Sequence, residues 1–353
     1  MSGDQFGVEG KELEIAVIAK KGKEIRAAMV GYGGAFNMGK AHASWLNAVD
    51  GMDTVAVVDP DVSRLEAAKT DLPGIETYKS LDDLIGKSDA NLAVLITPHN
   101  THATLAVKAL NAGMHVVLEK PMCITAAEAT KMIEAANASK VTLTVFHNRR
   151  HDGDYLAIKE VIEKGIIGDV FRIEAFSGGY GHPGKWWRAD KVILGGCLYD
   201  WGAHFVDWIL HLKPAKITNV TGFFQKRHWM DVTNEDETEA IIRFEDGAVA
   251  SLQISSLAAV GKPRWRILGT KGGILDEGGG SFKVRLQHEG MMAEAQVKYK
   301  QTDWAVYYKN LGKHLLEGAP LEVTPESARR VIAVIEAAEK SSKSGKAVEV
   351  PFG

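Results

Sequence analysis

Short apolar segments alternate with helical patterns between residues 25 and 146, and this alternation constrains the possible fold more than any other feature. Five strands are predicted, over Ile25–Val30, Thr54–Asp59, Leu92–Thr97, Val116–Leu118 and Leu143–Phe146. Helical patterns lie between them, among them His102–Ala112 and Ala126–Ala138. This order predicts a parallel, doubly wound α/β sheet with right-handed crossovers. The loops after residues 30, 58, 97 and 118 all follow carboxyl ends of strands, so we expect them to converge on one crevice.

The pattern changes after about residue 150, where strands follow one another with few helices between them. Predicted strands cover Val170–Phe176, Ile217–Gln225, Glu239–Phe244, Ala248–Ile254 and Arg264–Leu268, and predicted helices cover Asp154–Lys164, Thr302–Glu317 and Pro325–Ser342. A hairpin turn is predicted at Glu245-Asp246-Gly247. We therefore expect an α+β domain with a mainly antiparallel open sheet over residues 151–353. The last helix is a candidate to pack back on the domain formed by residues 25–150.

Composition narrows the class of protein. The 353 residues are 45% apolar, enough for two cores, and residues 1–24 form an N-terminal extension that is either a hairpin partner of the next strand or a loose tail. The net charge of -3 gives no reason to expect nucleic acid or a membrane as partner. Two cysteines make a disulfide framework unlikely and favour a reducing cytoplasm. The start lacks the features of a signal peptide, and no apolar run reaches membrane-spanning length.

A glycine-rich turn follows the first strand. The segment Gly31-Tyr32-Gly33-Gly34-Ala35-Phe36 precedes a helical pattern that runs through Leu46. Such a turn lets the backbone approach a pyrophosphate, which then binds free N–H groups at the helix start. Phe36 stands where the dinucleotide-binding pattern has its third glycine, and Gly39 comes three residues later. We interpret this as a widened turn.

An acidic residue ends the second predicted strand at the distance that a ribose-binding carboxylate requires. Asp59 is expected to accept hydrogen bonds from the adenosine ribose hydroxyls and to repel a 2′-phosphate, which favours NAD over NADP. The alternative is that Asp59, with Pro60 and Asp61, forms only a turn and a helix cap.

The tripeptide Glu119-Lys120-Pro121 ends the strand that contains Val116–Leu118. Proline lacks the N–H that a ladder needs, so Glu119 and Lys120 are expected at the carboxyl end of that strand, at the edge of the crevice. An acidic and basic pair on a solvated loop is the alternative.

Asp200 and His204 are four residues apart in a predicted helix beginning near Gly196. If both side chains lie on one helix face, the carboxylate can accept a hydrogen bond from the imidazole N–H. This contact raises the basicity of the imidazole, as a general base needs. The alternatives are a surface helix pair and a histidine packed in a core. No spacing indicates a third metal ligand, so no metal site is predicted.

These motifs together resemble the glucose-fructose oxidoreductase, inositol dehydrogenase and MocA-type family (Gfo/Idh/MocA). The resemblance covers residues 25 to 350 and rests on the glycine turn, Thr97-Pro98-x-x-x-His102, Glu119-Lys120-Pro121 and Asp200-x-x-x-His204. The stretch from Asn148 to Arg150 and the helix at Asp154 further resemble the scyllo-inositol and related sugar dehydrogenases.

The resemblance implies a Rossmann-type NAD domain and a second domain whose open sheet often contacts another subunit. It implies Lys120 beside the nicotinamide and substrate hydroxyl, His204 as proton acceptor, and Asp200 orienting the substrate or the imidazole. Repulsion between Lys120 and His204 is expected to depress the pKa of each. The predicted cofactor-binding residues are Gly31, Gly33, Gly34, Ala35, Phe36, Asp59, Thr97, His102, Glu119 and Lys120.

The predicted function is NAD-dependent interconversion of a secondary alcohol and a ketone on a cyclic polyol, sugar or glycoside. Its rivals are an NAD-dependent glycosidase or lyase that oxidises transiently, and a non-catalytic dinucleotide-binding regulator. Beside Lys120, Asp200 and His204, the predicted substrate contacts are Asn148, Arg149, His182, Trp187 and Tyr199. Trp186-Trp187 is alternatively a structural clasp. We expect a homodimer or homotetramer formed through the exposed face of the second sheet.

Overall fold

The computed structural model describes residues 24–33 and 36–353. The predictions for residues 1–23, and for Gly34 and Ala35 in the glycine turn, lie outside these residues. Within the described chain, no helix combines the length and apolar character that a membrane crossing requires.

The first sheet has six parallel strands in the order β3-β2-β1-β4-β5-β6. The strands are β1 (Ile25–Val30), β2 (Met52–Val58), β3 (Glu76–Tyr78), β4 (Leu92–Leu95), β5 (His115–Leu118) and β6 (Leu143–Val145). The connecting helices are α1 (Met38–Asn47), α2 (Val62–Asp71), α3 (Leu81–Leu84), α4 (His102–Asn111) and α5 (Ala126–Ser139). The predicted doubly wound sheet is confirmed, and this strand order is that of dinucleotide-binding folds. The sequence did not predict β3, whose three residues lie half-exposed or exposed at the sheet edge.

The second sheet has eight strands in the order β14-β13-β12-β11-β7-β10-β9-β8. They are β7 (Val170–Gly178), β8 (Ile217–Gln225), β9 (Glu237–Phe244), β10 (Val249–Ser255), β11 (Trp265–Gly269), β12 (Gly272–Asp276), β13 (Ser281–His288) and β14 (Met291–Lys298). Only the β7–β10 pairing is parallel among its strand pairs, so the predicted mainly antiparallel sheet is confirmed. The sequence analysis missed β12, β13 and β14. In β14 nearly every side chain is exposed, so no buried face marks the strand.

Helices cover one face of the second sheet and also join it to the first. The remaining helices are α6 (Gly153–Glu163), α7 (Lys191–Leu194), α8 (Trp201–Leu212), α9 (Ala305–Glu317) and α10 (Pro325–Ser344). Helices α8 and α10 contact strands of the second sheet, while α10 also contacts α5. There the Glu336 carboxylate accepts a hydrogen bond from the Ala126 N–H at 2.9 Å. The division of the chain at residue 150 stays a prediction.

Candidate active site

A cavity of about 870 Å³ lies at the carboxyl ends of β1, β2, β4 and β5. The predicted convergence of these loops on one crevice is confirmed. The volume is within the range of small-molecule and cofactor sites. Segments beyond residue 147 close the opposite wall with Asn148, Arg149, Trp187, Arg188, Asp200, Trp201, His204 and Trp304.

Gly31 and Gly33 line one end of the cavity. Gly31 has φ +95°, and a Cβ built there would lie 2.3 Å from the Ile96 carbonyl oxygen, so only glycine fits. A Cβ at Gly33 would meet no heavy atom within 4 Å, which leaves room for a ligand against the backbone. Phe36 also lines the cavity, and its ring lies 4.6 Å from the guanidinium carbon of Arg188. The side chain in place of the third glycine thus contacts the opposite wall.

The Asp59 carboxylate is held by two backbone groups at the cavity wall. One oxygen accepts the Tyr32 N–H at 2.8 Å, and the other accepts the Asp61 N–H at 2.9 Å. The cap of α2 is Asp61, which accepts from the Ser63 N–H. Asp59 therefore belongs to the cavity, where its remaining lone pairs can accept hydroxyl groups.

Lys120 and Asp200 form an ion pair inside the cavity. The Lys120 ammonium donates to one Asp200 carboxylate oxygen at 2.8 Å, and Arg188 donates to both oxygens at 3.1 Å. Burial acts to raise the pKa of Asp200, but the charges of Lys120 and Arg188 outweigh burial and lower the pKa to about 2. Arg188 was not predicted from the sequence, because it lies in a single 3₁₀ turn, Trp187–Ala189, without a recognisable motif.

The predicted contact between Asp200 and His204 is wrong. Asp200 lies just before α8 with φ -82° and ψ -91°, so it is outside the helix. The Asp200 carboxylate instead faces Lys120. Burial, with the charges of Lys120 and Arg149, places the pKa of His204 well below its usual range, so the ring stays neutral. The ring packs against Trp201 and Trp208.

Glu119 holds the backbone of Lys120 in place. One oxygen of its carboxylate accepts the Lys120 N–H at 2.9 Å, and the other pairs with His42 Nε2 at 3.1 Å. His42 Nδ1 in turn lies 2.6 Å from the Tyr308 hydroxyl. Burial acts to raise the pKa of Glu119, but His42 and Lys120 outweigh burial and lower it. His42 and Tyr308 were missed because they support the site from outside the cavity.

Two predicted substrate contacts lie outside the cavity. Tyr199 is buried, and its hydroxyl donates to the Ile124 carbonyl at 2.7 Å, so it has a structural contact instead. His182 pairs with the Asp231 carboxylate at 3.0 Å, and neither of these two residues lines the cavity. Both predictions are corrected because these side chains already have partners elsewhere.

His102 is likewise corrected as a cofactor contact. The ring is fully buried, and its two nitrogens lie 2.9 Å from the carbonyl oxygens of Pro121 and Thr97. It therefore links the two loops that flank the cavity. Thr97 itself lines the cavity, and its hydroxyl accepts from Thr101 at 2.7 Å.

The other predicted substrate contacts line the cavity. Arg149 lies between two indole rings, 4.5 Å from Trp201 and 5.1 Å from Trp304, and pairs with Asp152 at 2.7 Å. Asn148 lines the same wall, as does Trp187, whose ring meets His99 edge-on at 5.3 Å.

His99 was missed by the sequence analysis. Its Nδ1 donates to the Leu194 carbonyl at 3.0 Å, and burial lowers its pKa to about 3. The neutral ring therefore keeps Nε2 as an acceptor. Polar groups and aromatic faces together suit a hydroxylated ring as ligand.

Known proteins match the chain over most of its length. The model of an oxidoreductase family with an NAD-binding Rossmann fold matches residues 25–147, and the model of the GFO/IDH/MocA C-terminal domain matches residues 155–275. A scyllo-inositol 2-dehydrogenase (NADP(+)), IolW of Bacillus subtilis, is 28% identical over 93% of this chain and 97% of its own. A myo-inositol 2-dehydrogenase of Thermotoga maritima is 25% identical over 92% and 98%. The solved structure of YvaA from Bacillus subtilis has a TM-score of 0.86 and 26% identity, covering 94% of this chain and 100% of that one.

Proposed function

The chain belongs to the Gfo/Idh/MocA oxidoreductase family, and from this premise we propose that it interconverts a secondary alcohol and a ketone on a cyclic polyol, sugar or glycoside with NAD. One observation carries the proposal. The Lys120 ammonium lies 2.8 Å from Asp200 in the cavity that also holds His204 and the glycine turn. The cationic Lys120 and the neutral imidazole of His204 therefore face the space that a cofactor and a ring-shaped substrate would share.

The residues at the end of the cavity near Gly31 suit a dinucleotide. Gly31 and Gly33 leave the backbone open to a pyrophosphate, and Asp59 presents a carboxylate with fixed orientation. When bound, the nicotinamide supplies the hydride acceptor. Asp59 favours NAD over NADP, because a 2′-phosphate beside it would be repelled. The name of the Bacillus relative IolW specifies NADP(+), so the preference needs direct measurement.

The proton chemistry belongs to His204 and Lys120. Oxidation of a secondary alcohol requires removal of the hydroxyl proton, and the neutral imidazole of His204 can accept it. The Lys120 ammonium stabilises the negative charge that develops on the oxygen. Asp200 and Arg188 hold Lys120 in position through the shared carboxylate. In this scheme Asp200 orients Lys120, whereas His204 acts without a carboxylate partner.

The test is reduction of NAD, followed by absorbance, with a panel of inositols, sugars and glycosides. Net NADH should accumulate with at least one polyol, whereas the glycosidase or lyase alternative turns over without it. Lys120→Ala and His204→Ala should each lower turnover about 10²- to 10⁴-fold and leave NAD affinity within threefold. Tyr199→Phe is the matched control and should keep its turnover. Normal turnover in either alanine variant would contradict the mechanism.

We also propose that copies of the chain assemble through the open face of the second sheet. Helices α8 and α10 pack on the other face. Phe223 in β8 is 47% exposed, and an interface on this sheet would remove its apolar surface from water. A homodimer or homotetramer is the expected state.

A further inference from the structure

A second buried histidine, His147, lies beside His204. The two rings are 6.5 Å apart between centroids and nearly perpendicular. His147 is 2% exposed and His204 is 4% exposed. In both rings the Nδ1 atom is buried and has no hydrogen-bond partner within residues 24–33 and 36–353. An unpaired Nδ1 atom in a protein interior is costly, and each ring retains the capacity to give or take a proton.

The charged surroundings of the two rings differ. Burial does most to lower the pKa of His204, and the charges that add to this effect are those of Lys120, Arg149, His147 and Arg188. His147 instead has the Asp207 carboxylate 3.9 Å from its Nδ1. A proton held on His204 therefore lies among positive charges, whereas a proton held on His147 faces an anion.

Asp207 is fixed by the elements around it. Arg150 donates to both carboxylate oxygens at 2.6 and 2.8 Å, and His211 Nε2 lies 3.7 Å away on the same helix. The charges that face His147 are thus Asp207, Arg150, His211 and Lys120, together with His204. Burial lowers the pKa of His147 to about 4, although Asp207 acts to raise it. His211 also lines a second cavity of about 380 Å³.

We propose that His147 receives the proton from His204 during alcohol oxidation, so that the two rings and Asp207 form a relay. The inference rests on the proposed function, since it needs His204 to act on the substrate. The substrate O–H bond breaks and its proton goes to one nitrogen of His204. His204 then releases the proton on its other nitrogen to Nε2 of His147, whose own hydrogen on Nδ1 faces Asp207. After product release, the imidazolium of His147 returns the proton through His204, which lines the cavity, to solvent.

The spacing of the rings suits this transfer. With centroids 6.5 Å apart, the rings are too far apart for a direct hydrogen bond along most approaches, so the transfer runs through one bridging water. The relay moves positive charge away from Lys120, which keeps its own charge for the alkoxide. His147 therefore acts on the substrate only through His204, which makes it a positioning residue.

Two glutamine variants test the relay kinetically. His147→Gln removes the base but keeps a polar side chain of similar size, and His211→Gln makes the same change on the other side of Asp207. His147→Gln should lower kcat about 10-fold or more, move the acidic limb of the pH profile and enlarge the solvent deuterium isotope effect, with substrate KM and NAD affinity within twofold. His211→Gln should leave kcat within twofold. Unchanged kcat and pH profile in His147→Gln, or an equal loss in both variants, would overturn the relay.

A second measurement does not depend on turnover. Long-range ¹⁵N–¹H spectra of the full chain report which ring nitrogen of His147 carries the hydrogen, and His147→Gln assigns the signal. The relay requires hydrogen on Nδ1 and a free Nε2. Hydrogen on Nε2 at pH 7 would overturn the relay even in an active enzyme. If no polyol reduces NAD but the Nδ1–H form is found, the proposed function has failed separately.

Discussion

The ion pair between Lys120 and Asp200 makes a quantitative prediction about a single carboxyl group. The pKa of Asp200 is lowered to about 2 although burial opposes ionisation. Lys120 acts through its charge and through the 2.8 Å hydrogen bond, so Lys120→Met should raise the pKa of Asp200 by about one pH unit or more. One pH unit corresponds to about 1.4 kcal/mol. Arg188 remains in the variant and keeps part of the effect.

The same pKa determines how the pair contributes to stability. The folded-state value of about 2 is below the ordinary 3.8, so the stabilisation is complete above pH 3.8 and is lost as pH falls through 2. The difference between these two pKa values corresponds to about 2 kcal/mol in the free energy of unfolding. Lys120→Met should lose most of this pH-dependent stabilisation.

The assay is a ¹³C NMR titration of the aspartate carboxyl carbons between pH 7 and 3, with Asp200→Asn to assign the signal. The wild-type signal should stay nearly flat, whereas the Lys120→Met signal should have moved through about half of its titration shift, or more, by pH 3. Lys120→Arg keeps the charge and should stay flat. Lys191→Met removes a lysine that pairs with Glu339 instead and is the matched control. A wild-type signal that titrates near 3.8, or a flat signal in Lys120→Met, would refute the assigned pairing.

Three further predictions concern the cofactor turn, a corrected residue and assembly. Gly31→Ala places a Cβ 2.3 Å from the Ile96 carbonyl at a positive φ, so NAD affinity measured by fluorescence should fall at least about 10-fold and the Tm should drop. Tyr199→Phe loses the hydrogen bond to Ile124, so it should cost about 1 kcal/mol of stability in thermal melts while substrate KM stays unchanged. Light scattering at micromolar concentration should give a dimer or tetramer mass that Phe223→Asp reduces, and a monomeric wild type would contradict the proposed interface.

The sequence analysis was most accurate where local patterns decide structure. The strands that contain Ile25–Val30 and Val116–Leu118 are short apolar runs followed by turn residues, and parallel pairing follows from the helices between them. The position of Lys120 at the strand end follows from Pro121, which ends the ladder. Exposed strands such as Met291–Lys298 were missed because they have no buried face to create a pattern.

The pairing of side chains within the site was predicted less accurately than the strands. Arg188 and Lys120 are far apart in the sequence, and only the packing of a loop against the sheet brings both to one carboxylate. The helix spacing of Asp200 and His204 predicted a contact, but Asp200 lies outside the helix and its carboxylate binds Lys120 and Arg188. His147 carried no motif of its own, because its significance comes from the ring beside it.

By itself, the sequence determined the two kinds of sheet, since periodicity and turn chemistry act over a few neighbouring residues, and its motifs indicated the family and part of the cavity lining. Only the tertiary structure decided that Asp200 binds Lys120 and that Tyr199 and His102 contact backbone carbonyls. Hydrogen bonds and ion pairs depend on differences of about 1 Å and on single backbone dihedrals. Those are set by the packing of segments that lie far apart in the chain.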